Sequence, residues 1–198
     1  MDVLLIFLKN PIPGQVKTRL ARTMGPDEAT RIYRFLLEKT RQAALQASAT
    51  QRWLFYADGL PSGDDGWSEA VFAKHAQCAG DLGERMADAF QRAFAAGAAR
   101  AVIIGSDCPE LSSERLGEAF CALDHSDAVL GPTPDGGYYL LGLRQLHPAL
   151  FQGISWSTPE VLTQTLHAAQ QQGLRYHLLP PLADIDTEAD WLSYLARQ

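Results

Sequence analysis

The chain has 198 residues, 46% hydrophobic and 20% charged, with 23 Asp and Glu against 17 Lys and Arg for a formal net charge of −6. Such a length permits one domain or at most a domain with a small appendage, and a single domain over residues 1–198 is expected; the acidic balance argues against sequence-independent nucleic-acid binding, which feeds on surplus Lys and Arg. Three cysteines without a CxxC pair indicate neither a disulfide framework nor a zinc knuckle; with no apolar run near the ~20 residues of a membrane span and no signal-peptide core in Val3–Leu8, the expected compartment is the cytoplasm.

Short apolar runs alternate with helix-period segments from end to end. Val3–Leu8 reads as a strand buried on both faces, because its run is uniformly apolar rather than alternating. Pro26 and Asp27 open a helix with Ala29, Ile32, Tyr33, Leu36, Leu37, Thr40 and Ala44 as its inward stripe. Trp53–Tyr56 is the next strand, Gly59–Gly66 a turn-rich loop and Val71–His75 a further strand. Leu82–Ala96 is helical, with Met86, Ala89, Phe90, Ala93 and Phe94 inward. Ala101–Gly105 is the clearest central strand, followed by a helix over Ser113–Ala122. Ala128–Leu130 and Tyr138–Leu143 are strands, and the Ser157-Thr158-Pro159-Glu160 pattern predicts a capping box starting a helix that runs to about Gln172. Tyr176–Leu179 is the last strand and Glu188–Ala196 the last helix. The alternation predicts an α/β three-layer sandwich with helices on both faces of a mostly parallel sheet. The strands near 128 and 138 are joined by Gly131–Gly137 without a helix. Parallel neighbours need a crossover of about a dozen residues, so one of these two is antiparallel or belongs to a side sheet.

The strongest functional signal follows the first strand. Lys9, Lys17 and Arg19 gather positive charge in KNPIPGQVKTRL, against the acidic trend of the whole. Ligands of open α/β sheets bind beyond the carboxyl ends of the strands, where loop amides and lysines favour phosphate. Val16 directly before Lys17 breaks the GxxxxGK[ST] pattern and counts against a Walker-type ATPase. The expectation is a looser anion cradle of Lys9, Gly14, Lys17, Thr18 and Arg19; the plainer alternative is a surface loop with solvated lysines.

Four other segments carry candidate chemistry. Asp107, just past a buried strand and before Pro109, faces the same crevice and is the first candidate for Mg²⁺, which takes one or two carboxylates plus substrate phosphates. The competing role, capping the next helix, is weakened because Ser112 can do so. In Gly131–Gly142 the Asp135-Gly136-Gly137 turn either simply joins two strands or also presents Asp135 and the two glycine amides to a sugar or acceptor. Tyr138 and Tyr139 alternate, so at most one faces the cleft. In Asp184–Trp191, Asp186 is either a cap for the last helix, a role Thr187 can also fill, or a second carboxylate for a metal. Around Gly80, Gly83 and Arg85 a helix start can face the ligand, with Arg85 reaching a phosphate, or can be an ordinary capped terminus. Trp156 either lines the acceptor side or is buried beside a helix cap. The five dispersed histidines and the lack of GxSxG support neither a histidine metal site nor an acyl-transfer triad.

Taken jointly, these segments resemble the bacterial DUF2064 family, also described as radical-SAM/selenodomain-associated transferases of the GT-A nucleotide-diphospho-sugar transferase type. The resemblance rests on FLKNPIPGQVKTRL, QCAGDLGERM, GSDCPELS, GPTPDGGYYLLGL, ISWSTPEVL and DIDTEADW, in that order over nearly the whole chain. More distantly it extends to nucleotidyltransferases of molybdenum-cofactor and phospholactate metabolism. It implies a GT-A, Rossmann-like fold, with Lys17 and Arg19 on phosphates. Asp107 would be the metal ligand equivalent to the acid of a DxD motif, with Mg²⁺ or Mn²⁺ as cofactor. No DxD occurs there, since Ser106 precedes Asp107 and Pro109 stands two residues on, which draws attention to Asp186. The expected activity is glycosyl transfer from a nucleotide-diphospho-sugar to a small-molecule acceptor, with Asp107, Asp135 and Lys17 catalytic. Nucleotidyl transfer from a nucleoside triphosphate with release of pyrophosphate is the alternative, and nucleotide binding without turnover a third. Neither nucleic acid nor membrane is an expected partner.

Overall fold

Every side chain from Val3 to Ile6 is sealed from solvent, with Val3 and Leu5 facing one layer of helices and Leu4 and Ile6 the other. This is the physical content of a uniformly apolar strand: the side-chain period of two feeds both faces at once. The computed structural model describes residues 1–197. In chain order the elements are β1 (Asp2–Leu8), α1 (Thr18–Met24), α2 (Pro26–Gln46), β2 (Gln51–Tyr56), β3 (Phe72–Ala76), α3 (Leu82–Ala95) and β4 (Arg100–Ile104). They continue with α4 (Ser113–Ala122), β5 (Ala128–Pro132), β6 (Tyr138–Leu143), a 3₁₀ turn at Pro148–Leu150, α5 (Val161–Gln171), β7 (Tyr176–Leu178) and α6 (Glu188–Leu195).

The seven strands form one sheet in the order β3-β2-β1-β4-β6-β5-β7. All neighbours are parallel except β6, which runs antiparallel to both β4 and β5. The strand pair without a crossover helix is thus a hairpin inside the main sheet, and no side sheet occurs among the described residues. Leu20 of α1, the inward stripe of α2, Leu116 and Phe120 of α4, and Trp191 and Tyr194 of α6 pack on one face. Met86, Ala89, Phe90 and Ala93 of α3 and Ala169 of α5 pack on the other. The result is the three-layer arrangement expected, and no helix among the described residues is long and apolar enough to cross a membrane.

Three local expectations need correction. The stretch read as a continuous loop to Leu20 becomes helical at Thr18, giving the short α1. The inward stripe of α3 ends at Ala93, and Phe94 is only half-buried. The capping box at Ser157–Glu160 does not form, and α5 begins at Val161 without a side-chain cap. Thr158 Oγ1 instead donates to the Ser155 carbonyl at 2.7 Å, and Ser157 adopts a left-handed φ of 64°. Those residues form a loop, and Gly136 docks against it. A Cβ on Gly136, whose φ is +90°, would lie 2.0 Å from the Pro159 carbonyl oxygen.

That close approach separates two glycines of similar backbone conformation. Gly153 also has positive φ, at +69°, but a Cβ there meets nothing within 4 Å. Gly153→Ala is expected to cost about 1 kcal/mol of backbone strain, whereas Gly136→Ala adds a backbone clash and should cost about 3 kcal/mol. At roughly 2–4 °C per kcal/mol for a chain of this size, thermal unfolding distinguishes them. Equal melting temperatures for the two variants would show that the hairpin does not depend on this contact.

Candidate functional site

Because β1, β2 and β4 are parallel, the loops after Leu8, Tyr56 and Ile104 emerge on one rim. The loop after β1 is held there by named bonds. Asn10 binds the Asp58 carboxylate through its backbone amide at 3.1 Å and its side-chain amide at 3.0 Å. The Gln15 amide donates to the Ile12 carbonyl at 3.0 Å, closing a turn with Pro13 and Gly14 at its centre. The φ of +79° at Gly14 suits the third position of a type II turn. Val16 then anchors in the core and delivers Lys17 to the rim.

Lys17 is the centre of the site. Its Nζ lies 2.8 Å from Asp107 Oδ1 and 2.9 Å from Asp186 Oδ1, with only 5% of its side chain exposed. Burial pulls its pKa down, and the two carboxylates more than offset that and hold it above the ordinary lysine value. The residue is also left-handed, with φ 46° and ψ 47°, a conformation that costs a non-glycine residue about 1–2 kcal/mol. The acids reach Lys17 from opposite ends of the chain. Asp107 follows β4, and the Asp107 carbonyl accepts a bond from the Ile185 amide at 3.0 Å, fastening the Asp184–Asp186 segment beside it. Thr187 caps α6 in a box with Asp190, so the Asp186 carboxylate is free to face Lys17. Arg19 Nη1 lies 3.7 Å from the other Asp186 oxygen.

Beneath the site Tyr33 joins the two loops. Its hydroxyl accepts from the Lys9 amide at 2.9 Å and lies 3.2 Å from Ser106 Oγ. Burial is the main cause that pushes the phenol up to about 12, followed by the nearby Asp107 charge. Sequence reading assigned Tyr33 to the core stripe alone; the signal overlooked was that a buried phenol needs a hydrogen-bond partner.

The rim encloses two adjoining cavities. The first, of about 470 Å³, is lined by Lys9, Lys17, Thr18, Arg19, Arg85 and Asp107 among others. The second, of about 500 Å³, is lined by Asp135, Gly137, Tyr138, Trp156, Ser157 and Asp184 among others. Arg19, Leu82, Asp107 and Asp186 border both, so the Lys17 cluster stands on the ridge between them. Of the anion-cradle residues, Gly14 shapes its turn and does not line the cavity. Gly80 lines neither cavity: its carbonyl accepts from Arg85 Nε at 2.9 Å, and its missing Cβ leaves room for Glu84 of the α3 capping box. Trp156 packs on Gly83 at the start of α3, where a Cβ would sit 2.5 Å from the indole nitrogen. The amides expected to face an acceptor are occupied within the turn. Gly136 N donates to the Thr133 carbonyl at 3.2 Å and Gly137 N to Asp135 Oδ1 at 3.1 Å. Tyr138 lines the second cavity, while Tyr139 faces the opposite layer and donates to the Pro180 carbonyl at 3.0 Å.

The profile of a family described as an uncharacterized protein conserved in bacteria, DUF2064, matches residues 40–158. The chain belongs to this family. No curated protein matches this DUF2064 member by sequence. A protein from Desulfovibrio desulfuricans G20 described as a nucleotide-diphospho-sugar transferase superposes with a TM-score of 0.90 at 36% identity, over 99% of this chain and 86% of that one. CMP:2-keto-3-deoxy-manno-octonic acid synthetase complexed with CTP gives 0.61 at 11% identity, over 99% and 97%. Rv0371c of Mycobacterium tuberculosis H37Rv in complex with manganese gives 0.53 at 16%, over the whole of both chains. The last two establish the fold that this DUF2064 protein shares with them.

Among the described residues, no group of three or more His, Cys, Asp or Glu side chains is set to hold a metal ion. The DUF2064 site offers a pair instead: one oxygen each of Asp107 and Asp186 converges on a single cation, the Lys17 ammonium. Two carboxylates suit Mg²⁺ or Mn²⁺ when substrate phosphates and water complete the shell. Sequence reading missed Asp184 as a site residue. Its signal was the Asp-Ile-Asp alternation: in an extended segment residues two apart face the same way, and Ile185 between them is buried. Burial, then the charges of Asp135 and Asp186, push Asp184 up to about 6.

Two tests follow from this geometry. Tyr33→Phe leaves the Lys9 amide without its acceptor and should cost about 1–3 kcal/mol in denaturant unfolding; an unchanged midpoint would mean the two loops hold their positions independently. For Asp184 the folded pKa exceeds the unfolded one, so ionisation penalises the native state. The penalty is absent below about pH 4, grows as pH rises, and is complete above about pH 6. Discounted for water access, about 1 kcal/mol makes Asp184→Asn roughly 2–4 °C more stable than the parent at pH 8 in a metal-free buffer. The difference should close toward pH 4, and a gain independent of pH would rule out the electrostatic origin.

Proposed function

We propose that this protein is a metal-assisted transferase that seats the diphosphate of a nucleotide-activated donor in the first cavity and an acceptor in the second, and that it transfers a glycosyl group. The observation that carries the reading is the meeting of Lys17, Asp107 and Asp186 on the ridge between the cavities, where donor and acceptor would touch. The 36% identical Desulfovibrio protein, described as a nucleotide-diphospho-sugar transferase, supports the donor class. CTP in one protein of the same fold and manganese in another support a nucleotide and a divalent ion.

The roles follow from charge and position. Asp107 and Asp186 would hold Mg²⁺ or Mn²⁺, which when bound neutralises diphosphate charge and makes the nucleoside diphosphate a better leaving group. Lys17, whose ammonium already sits at that point, moves its charge onto the phosphates as the carboxylates take up other ligands, and Arg19 on the ridge does the same from the second cavity's side. Lys9, Thr18 and Arg85 line the remainder of the donor cavity. Asp135 carries one carboxylate oxygen fixed by the Gly137 amide, which holds it as the proton acceptor for the attacking hydroxyl. The acceptor oxygen bonds to the donor's anomeric carbon and its proton passes to Asp135. The carbon–oxygen bond to phosphate breaks, and the electron pair leaves on the nucleoside diphosphate.

A second reading, nucleotidyl transfer, draws on the CTP-bound synthetase of the same fold. It breaks the α–β bond of a nucleoside triphosphate and releases pyrophosphate, so product analysis separates the two.

The test is a thermal-shift panel of nucleotides and nucleotide-sugars with and without Mn²⁺. A ligand at one hundred times its dissociation constant should add about 2.7 kcal/mol of apparent stability, and that gain should need the ion. Asp107→Asn should abolish the dependence on the ion. Lys17→Gln should cost about 10²–10³ in turnover, the scale of one removed charge-stabilising donor. Nucleotide binding that is indifferent to both metal and Asp107→Asn would instead indicate a binding protein without turnover.

A further inference from the structure

The two cavities differ in charge, and the difference bears on what the second one accepts. The donor cavity sets four cations, Lys9, Lys17, Arg19 and Arg85, against two carboxylates, Asp107 and Asp186. The second presents four carboxylates, Asp107, Asp135, Asp184 and Asp186, with Arg19 as the only cation among the described residues that line it. Asp107 and Asp186 are answered by Lys17, and Arg19 leans toward Asp186. Asp135 and Asp184 have no ion-pair partner among the described residues, and both line this cavity.

The rest of the wall is equally specific. Trp156, fixed by its contact with Gly83, offers an aromatic surface. Tyr138 lines the same cavity, while its hydroxyl is buried away from it on the side of Thr165 of α5. Carboxylate oxygens accept hydrogen bonds from hydroxyl and ammonium groups and repel phosphate and carboxylate. An indole face accepts the C–H face of a ring or a cation. A divalent ion, if Asp107 and Asp186 held one, would be balanced by the donor diphosphate and would leave no surplus positive charge for a second anion.

We infer that the acceptor of this transferase is a polyhydroxylated small molecule carrying no phosphate or carboxylate, bound through its hydroxyls to Asp135 and Asp184 and by its ring face to Trp156, with an amino group on it strengthening binding. This rests on the assignment of the second cavity as the acceptor site. It also disfavours a reaction in which a phosphorylated sugar attacks a nucleoside triphosphate, because that nucleophile is itself an anion.

The experiment is a calorimetric titration with three probes, methyl glucoside, glucosamine and glucose 1-phosphate. It is run on the full chain with Mn²⁺, both with and without the nucleoside diphosphate that gives the largest thermal shift. Glucosamine should bind most tightly and glucose 1-phosphate at least about tenfold more weakly, since like charges at a binding site cost a kcal/mol or more. Asp135→Asn with Asp184→Asn should narrow that gap and weaken glucosamine. Asp184→Asn alone, expected to be the more stable protein, gives the same direction if the double variant does not fold. Glucose 1-phosphate binding as well as the neutral sugar, or no probe binding under either condition, overturns the inference. Absence of any nucleotide response counts against the donor assignment, while the ranking of the probes still judges the acceptor class.

Discussion

A single ammonium group ties the functional rim together. Lys17 is delivered by a loop near the amino terminus, Asp107 by a central strand and Asp186 by a segment close to the carboxyl terminus, and the three meet within hydrogen-bonding distance. Nothing local brings them there. The parallel run of β1 and β4 sets the first two on one rim, and the bond from the Ile185 amide to the Asp107 carbonyl brings in the third. A nearly buried lysine is tolerable only because two carboxylates answer it, and those acids, both partly open to solvent, retain oxygens for other ligands. The left-handed backbone at Lys17 fits the same picture: strain of this kind persists where surrounding structure over-determines a residue and gathers at ligand sites.

Cation, carboxylates and cavities also explain why the site has two halves. The ridge residues Arg19, Leu82, Asp107 and Asp186 border both cavities, so under the proposed transfer a group would cross only this ridge. Lys17 lies under this crossing point, shielded from water, where its charge is felt more strongly than on an open surface. Trp156 and the Asp135 turn close the far side, and Tyr33 ties the floor together from below.

Most of the framework could be read from the chain. The uniformly apolar Val3–Leu8, the inward stripe of α2 and the Ser112 and Thr187 caps each encode their own local structure, and the lack of a crossover between residues 130 and 138 announced a reversed strand. Lys17, Asp107 and Asp135 stood out because charge or turn chemistry fell just past strand ends. What stayed hidden depends on contacts made only in the fold. Ser157-Thr158-Pro159-Glu160 has the spacing of a capping box, yet the docking of Gly136 against Pro159 claims that segment for a loop, and tertiary packing overrides the local pattern. Gly136 and Gly137 looked like ligand-facing amides until the hairpin used both donors itself. Asp184 was passed over because attention in that segment fell on Asp186 and the cap of the last helix; Ile185 entering the core turns both carboxylates the same way. The pairing of Lys17 with two acids 90 and 169 positions away is beyond any local window.

The reversed strand has a consequence of its own. Since β6 runs against its neighbours, the β5–β6 turn emerges at the rim where the parallel strands end, and it brings Asp135 and Tyr138 there without a crossover helix. One wall of the second cavity is therefore a tip of a few residues leaning on one loop, whereas the first cavity is lined by the end of β1, the loops after β1 and β4, and residues of α1, α2 and α3. Changes of length or chemistry at that tip leave the core strands untouched. On the proposed reading, a lineage using this scaffold could revise what it modifies while keeping the carrier from which it takes the group.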